Sequence, residues 1–145
     1  MEIMKSHAFV LLLSATVLCV NANITERYQK FINQHIFQRM SVDRCTSVIA
    51  SRRIKTADNE CKETNTFIRA TTGLVKPICD RAGEPYGEMT KSTKPFDIVV
   101  CKLKGGRPGH CEYRGNSYTR KIAIRCEQGL PVHFDRDIYL LVNTS

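Results

Sequence analysis

Apolar residues in the stretch 25–40 recur at helical spacing, with Tyr28, Phe31, Ile32 and Ile36 on one side and His35 among them. Thr25 is a suitable N-cap, and Glu26 favours the positive end of the helix. The pattern predicts a first helix over 25–40, with His35 on its inner face or the edge of that face. A second helix is predicted over 43–51, turning Cys45, Val48 and Ile49 inward. Residues 65–77 hold a strand end and a third helix, stopped by Pro77. After that the pattern changes. Residues 96–103 are rich in β-branched side chains, 104–109 are turn chemistry, and 121–126 alternate in part between polar and apolar. A last strand follows over 132–142, entered through Gly129 and Pro131. Helices first and antiparallel strands after make an α+β chain, without repeat or low-complexity linker.

Residues 1–22 read as a secretory signal: Lys5, an apolar run over 8–20, and a small-residue cleavage site at Val20-Asn21-Ala22. The run is too short to span a bilayer as a helix. Residues 23–145 are then one domain. Of the seven cysteines, Cys19 leaves with the signal and six remain. An even number in a secreted chain implies three disulfides. Cys-x-x-Cys is absent and the spacings are long, which argues against a metal site. Six cysteines allow fifteen pairings, and spacing does not choose among them.

The net charge is +8, unchanged when Glu2 and Lys5 leave together, which favours polyanionic partners: RNA, heparin-like glycans or anionic membranes. Three histidines remain, His35, His110 and His133. Cleavage of RNA by its own 2′-hydroxyl needs a base, an acid, and a cation for the charge that develops on phosphorus. His35, His133 and Lys62 can fill these roles, with Asp135 holding the His133 ring. Each has a plainer reading: a half-buried histidine, a strand histidine, a surface lysine. His110, between Gly109 and Cys111, reads as an exposed loop residue without a role.

Several motifs together resemble the pancreatic-type ribonuclease superfamily. They are Gln34-His35-Ile36, Cys61-Lys62 with Asn65-Thr66-Phe67, Cys101-Lys102-Leu103 with Gly105-Gly106, Cys111-Glu112-Tyr113-Arg114, and Pro131-Val132-His133-Phe134-Asp135. The resemblance spans essentially all of 23–145. It implies a ribonuclease A-like fold: three short helices, a bent antiparallel β-sheet and three disulfides, paired Cys45–Cys101, Cys61–Cys111 and Cys79–Cys126. It implies His35 as general base, His133 as general acid and Lys62 on the transition state, with no metal and no cofactor. Gln34 and the Phe134 backbone would hold the phosphate, with Asn65 among the substrate contacts. Thr66 would read cytosine or uracil, because its hydroxyl donates or accepts. Phe134 would pack on that base, and Glu127 would meet the next one.

The fourth disulfide of the pancreatic enzymes is missing, and the segment 80–89 is short and free of cysteine. This is similar to the angiogenin branch, in which that loop meets cell surfaces and catalysis is often weak. Angiogenins obstruct the pyrimidine site with a glutamine three residues after the catalytic histidine, where this chain has Arg136. Arg52, Arg53 and Lys55 lie where angiogenins carry a basic nuclear-targeting cluster; the plainer reading is a solvated loop. The expectation is a secreted, monomeric, pyrimidine-preferring endoribonuclease acting on single-stranded RNA such as tRNA. It would form a 2′,3′-cyclic phosphate and then hydrolyse it. Angiogenic or antibacterial activity is expected beside this, with nuclear or nucleolar entry after uptake. The alternative is a cationic ligand or host-defence protein in which binding to a receptor, glycans or bacterial membranes outweighs catalysis. Sequons stand at Asn23 and Asn143.

Overall fold

The computed structural model describes residues 23–139. The expected leader, the Asn143 sequon and the end of the predicted last strand lie outside the described residues. Helix α1 covers 23–35. A 3₁₀ turn, Val42–Arg44, leads into α2, Cys45–Ser51. Strand β1 is Thr64–Ile68, followed by α3, Thr72–Val75, and a second 3₁₀ turn, Lys76–Cys79. The remaining strands are β2 Gly83–Tyr86, β3 Met89–Ser92, β4 Phe96–Arg107, β5 His110–Glu127 and β6 Leu130–Ile138.

All strand pairs are antiparallel and the order is β1-β4-β5-β3-β2, with β6 also on β5. The first part of β5 pairs with β4, and the part from Lys121 onward pairs with β6 and β3. One long strand thus serves both halves of a bent sheet. The run Ile98–Cys101 is buried without alternation because two cores flank it. Ile68, Ile98, Val100, Ile122 and Ile124 pack with Phe31 and Ile36 in one core. Phe67, Val99 and Cys101 pack with Met40, Val48, Ile49 and Tyr113 in the other. Disulfides join Cys45 to Cys101, Cys61 to Cys111 and Cys79 to Cys126.

Three expectations are corrected. The first helix ends at 35, not 40: Ile36 bridges Ile68 of β1, and Phe37 N–H donates to the Ile68 carbonyl at 3.1 Å. The third helix ends at Val75, with Lys76 as its C-cap just ahead of Pro77, and Pro77 itself sits at the start of the second 3₁₀ turn, where its missing N–H costs nothing. Residues 80–89 are not simply a loop, since β2, the turn after it and the first residue of β3 lie there. The turn expected over 104–109 shrinks to Pro108–Gly109, so His110 opens β5, exposed and opposite Arg107. The first part of β5 is mostly polar and exposed, so it carries no apolar alternation. Gly115 in its middle lets Val42 approach: a Cβ there would lie 2.4 Å from the Val42 carbonyl oxygen.

Candidate active site

His35 is the last residue of α1 and is 6% exposed. Its Nδ1 lies 2.8 Å from the Thr66 carbonyl oxygen. A carbonyl only accepts, so Nδ1 carries the proton and Nε2 keeps a free lone pair. The ring stacks on Phe134, centroids 5.1 Å apart and planes 26° apart, and touches Phe31 at 5.3 Å. Burial pushes its pKa down to about 3, against the pull of the Thr66 bond, and the charges of Lys62 and His133 push the same way as burial. The ring is therefore neutral across the physiological range.

Lys62 follows the Cys61–Cys111 disulfide. Its Nζ donates to Asn65 Oδ1 at 2.9 Å, and Asn65 Nδ2 donates to the Gln34 carbonyl at 2.8 Å. Asn65 is 1% exposed and thereby ties the lysine to the helix that bears His35. Burial, then the charge of Lys30, lowers the Lys62 pKa. Tyr113 donates its hydroxyl proton to the Lys62 carbonyl at 2.6 Å.

His133 is exposed on β6. It lines one cleft of about 170 Å³ with Arg27, Lys30, Phe31, Gln34, His35 and Val132. Bulges lie on both sides of it. Val132 is the extra residue between Arg125↔His133 and Cys126↔Pro131, and Asp135 is the extra residue between Ala123↔Arg136 and Ile124↔Phe134. Between the two bulges His133 and Phe134 keep regular pairing with Arg125 and Ile124.

The structure thus brings Gln34, His35, Lys62, Asn65, Thr66, His133 and Phe134 together. Asp135 pairs instead with Arg136 Nε at 3.8 Å and makes no hydrogen bond to His133 among the described residues. Glu127 is ion-paired with Arg27. Arg136 turns away to Tyr86, donating from Nη2 to its hydroxyl at 2.7 Å. Arg52 is no solvated charge: its Nη1 donates to the Asn33 and Ile36 carbonyls at 2.9 and 2.8 Å, and its guanidinium lies 4.6 Å from the Phe37 centroid. Arg53 and Lys55 remain exposed. Sequence reading gave no role to Arg27, Lys30 or Tyr113. The first two carried a signal, since residues 27, 30 and 34 recur on one side of α1.

A buried neutral histidine and an exposed histidine line one cleft, and a half-buried lysine is tied through Asn65 to the helix that bears the first, inside a fold with these three disulfides. Residues 26–135 match the model of the pancreatic ribonuclease family. The chain belongs to the pancreatic ribonuclease family. It is 42% identical over 122 residues to an angiogenin of Sus scrofa, covering 79% of this chain and 80% of that one. It is 33% identical over 147 residues to the ribonuclease-like 3 of Danio rerio, covering 95% and 99%. The X-ray structure of zebrafish RNase5 superposes with a TM-score of 0.77 at 43% identity, over 79% of this chain and 96% of that one. The chain is an angiogenin-like member and an endoribonuclease of the pancreatic type.

Proposed function

We propose that this chain is a secreted, pyrimidine-preferring enzyme that cleaves single-stranded RNA by transphosphorylation followed by hydrolysis. The observation that carries the reading is the pairing of a neutral His35, with Nε2 free, and an exposed His133 in one cleft. His35 Nε2 takes the proton from the 2′-hydroxyl, and that oxygen attacks phosphorus. Lys62 steadies the added negative charge, with Gln34 and the Phe134 main chain holding the phosphate. His133 protonates the departing 5′-oxygen, leaving a 2′,3′-cyclic phosphate. Water then opens the ring with the two histidines in exchanged roles. Thr66, whose hydroxyl makes no hydrogen bond to another described residue, reads the pyrimidine edge, and Phe134 packs on the base. Arg136 leaves that pocket open by holding to Tyr86. Asp135 steadies His133 once it exchanges its long contact to Arg136. The apolar run over 8–20 and the three disulfides support secretion.

The deciding experiment is cleavage of tRNA and of a fluorescent pyrimidine–purine dinucleotide by refolded 23–145, His35→Ala and His133→Ala. Activity in the parent and its loss, by about a hundredfold or more, in each variant is expected. An active His35→Ala protein would remove the proposed base.

A second output is favoured by the similarity to angiogenins and by the hairpin β2–β3, whose Glu84 and Glu88 are exposed. Cell binding through this hairpin, with nuclear entry through Arg53 and Lys55, is then separable from catalysis. Charge reversal at Glu84 and Glu88 should abolish binding to cells and leave dinucleotide cleavage intact. Killing of bacteria through the net charge of +8 is tested by His133→Ala, which should keep it if membrane binding is the cause.

A further inference from the structure

Away from the histidines, three residues form a layered group that the catalytic reading does not use. The Arg120 guanidinium lies 3.8 Å from the Tyr118 ring centroid and 4.0 Å from that of Tyr139. Its Nη1 also donates to Asp137 Oδ2 at 2.6 Å, so its charge is already matched. A matched, covered guanidinium is a poor phosphate clamp but a firm prop for two rings. Those rings stay at the surface, Tyr118 37% and Tyr139 65% exposed.

Their place follows from the strand register. Thr66, Val100 and Asn116 form one row across β1, β4 and β5, and Ile68, Ile98 and Tyr118 form the row two residues along. Directly opposed residues share a face, as do residues two apart. Tyr118 therefore stands on the face that bears Thr66, about 12 Å away for two strand spacings and two residues. Position along β6 gives the direction. Glu127, proposed to meet the base after the scissile bond, pairs with Leu130 at one end. His133 and Phe134 follow, and Asp137 and Tyr139 lie toward the other end. The tyrosines are thus on the far side of the pyrimidine pocket from the downstream base.

We propose that Tyr118 and Tyr139, propped by Arg120, are a stacking site for a nucleobase upstream, on the 5′ side, of the pyrimidine at the cleavage point. Stacking on aromatic rings suits any base, since each has a π face. The site adds binding along the strand without adding sequence preference. The proposal rests on the reading of the histidine cleft as the cleavage site.

The test compares a pyrimidine–purine dinucleotide with the same step extended by two nucleotides on its 5′ side, or by two on its 3′ side. The parent, Tyr118→Ala, Tyr139→Ala and Tyr118→Phe are measured on all three. The expected result is a loss of about tenfold in kcat/KM for Tyr118→Ala, on the 5′-extended substrate alone. Tyr139→Ala should behave alike, and Tyr118→Phe should retain the gain. Equal loss on all three substrates, loss on the 3′-extended one, or no loss on the 5′-extended one overturns the proposal. A labelled 2′-deoxy analogue, which lacks the nucleophile, gives the same comparison as an affinity. Weaker binding of the 5′-extended analogue by Tyr118→Ala than by the parent supports the stacking site even if the parent cleaves no dinucleotide, an outcome that would instead remove the catalytic reading.

Discussion

His35 carries the sharpest dependence on pH. Its pKa is held near 3 in the fold and returns to the ordinary 6.5 when the chain unfolds. The unfolded chain therefore binds more protons between these values, so this residue's contribution to stability is full above 6.5 and is lost as pH falls toward 3. The ring alone should make the fold about 3 kcal/mol less stable at pH 4 than at pH 8. Urea midpoints of the parent and His35→Asn at both values check this: the variant should lose distinctly less between them. In the proposed mechanism catalysis follows the same ring. The acid limb of kcat/KM should lie well below pH 6.5, because His35 stays neutral there. An acid limb at 6.5 or above would contradict the buried, neutral base. His35 was legible as a candidate from its place among apolar helix positions. Its bond to Thr66, which selects the tautomer, joins residues 31 apart and was not.

At the scale of elements, α1 delivers His35 and Gln34, yet no disulfide among the described residues reaches it. Its end is held by Arg52, which donates to two carbonyls there, an arrangement also favoured by the helix dipole. Arg52→Ala should destabilise the fold by about 2 kcal/mol and raise hydrogen exchange in α1 before it does in the sheet. If α1 exchange were unchanged, the cap would have no weight. Arg53 next to it behaves oppositely. It sits at φ 54 just after α2, where Ile54 N–H reaches the Ile49 carbonyl at 3.0 Å and Arg53 N–H reaches Ala50 at 3.1 Å. This is a Schellman end, a position that prefers glycine. Arg53→Gly should raise stability by roughly 0.5–1 kcal/mol in thermal or urea unfolding while removing one exposed charge. The run of basic residues looked uniform in sequence. Only the approach of α2 to the end of α1 divides it into a structural Arg52 and free Arg53 and Lys55.

For the whole molecule, three disulfides close loops of 56, 50 and 47 residues, each worth about 4 kcal/mol in the chain-entropy picture. They tie α2, the Lys62 loop and the second 3₁₀ turn to the long strands. The net charge of +8 acts at this scale too. Log kcat/KM on long RNA should fall linearly with log salt, by about 0.7 for each phosphate neutralised, while dinucleotide cleavage changes little. Equal salt slopes would mean that the protein grips RNA only at the scissile bond. The residues of the proposed catalytic group were picked out by a resemblance between motifs; the α+β class, the two helices before β1 and the apolar core of β4 were readable along the chain. Each rests on local spacing or on a run of side chains that reports burial directly. The polar first part of β5, the hairpin β2–β3 and the two bulges in β6 were not readable, because pairing with a distant strand made them. The same holds for Asp135 on Arg136, Glu127 on Arg27 and Arg120 between two tyrosines. Side chains of known chemistry were set by the sequence; which of them meet, and therefore which are free to act, was decided by contacts between segments that only folding brings side by side.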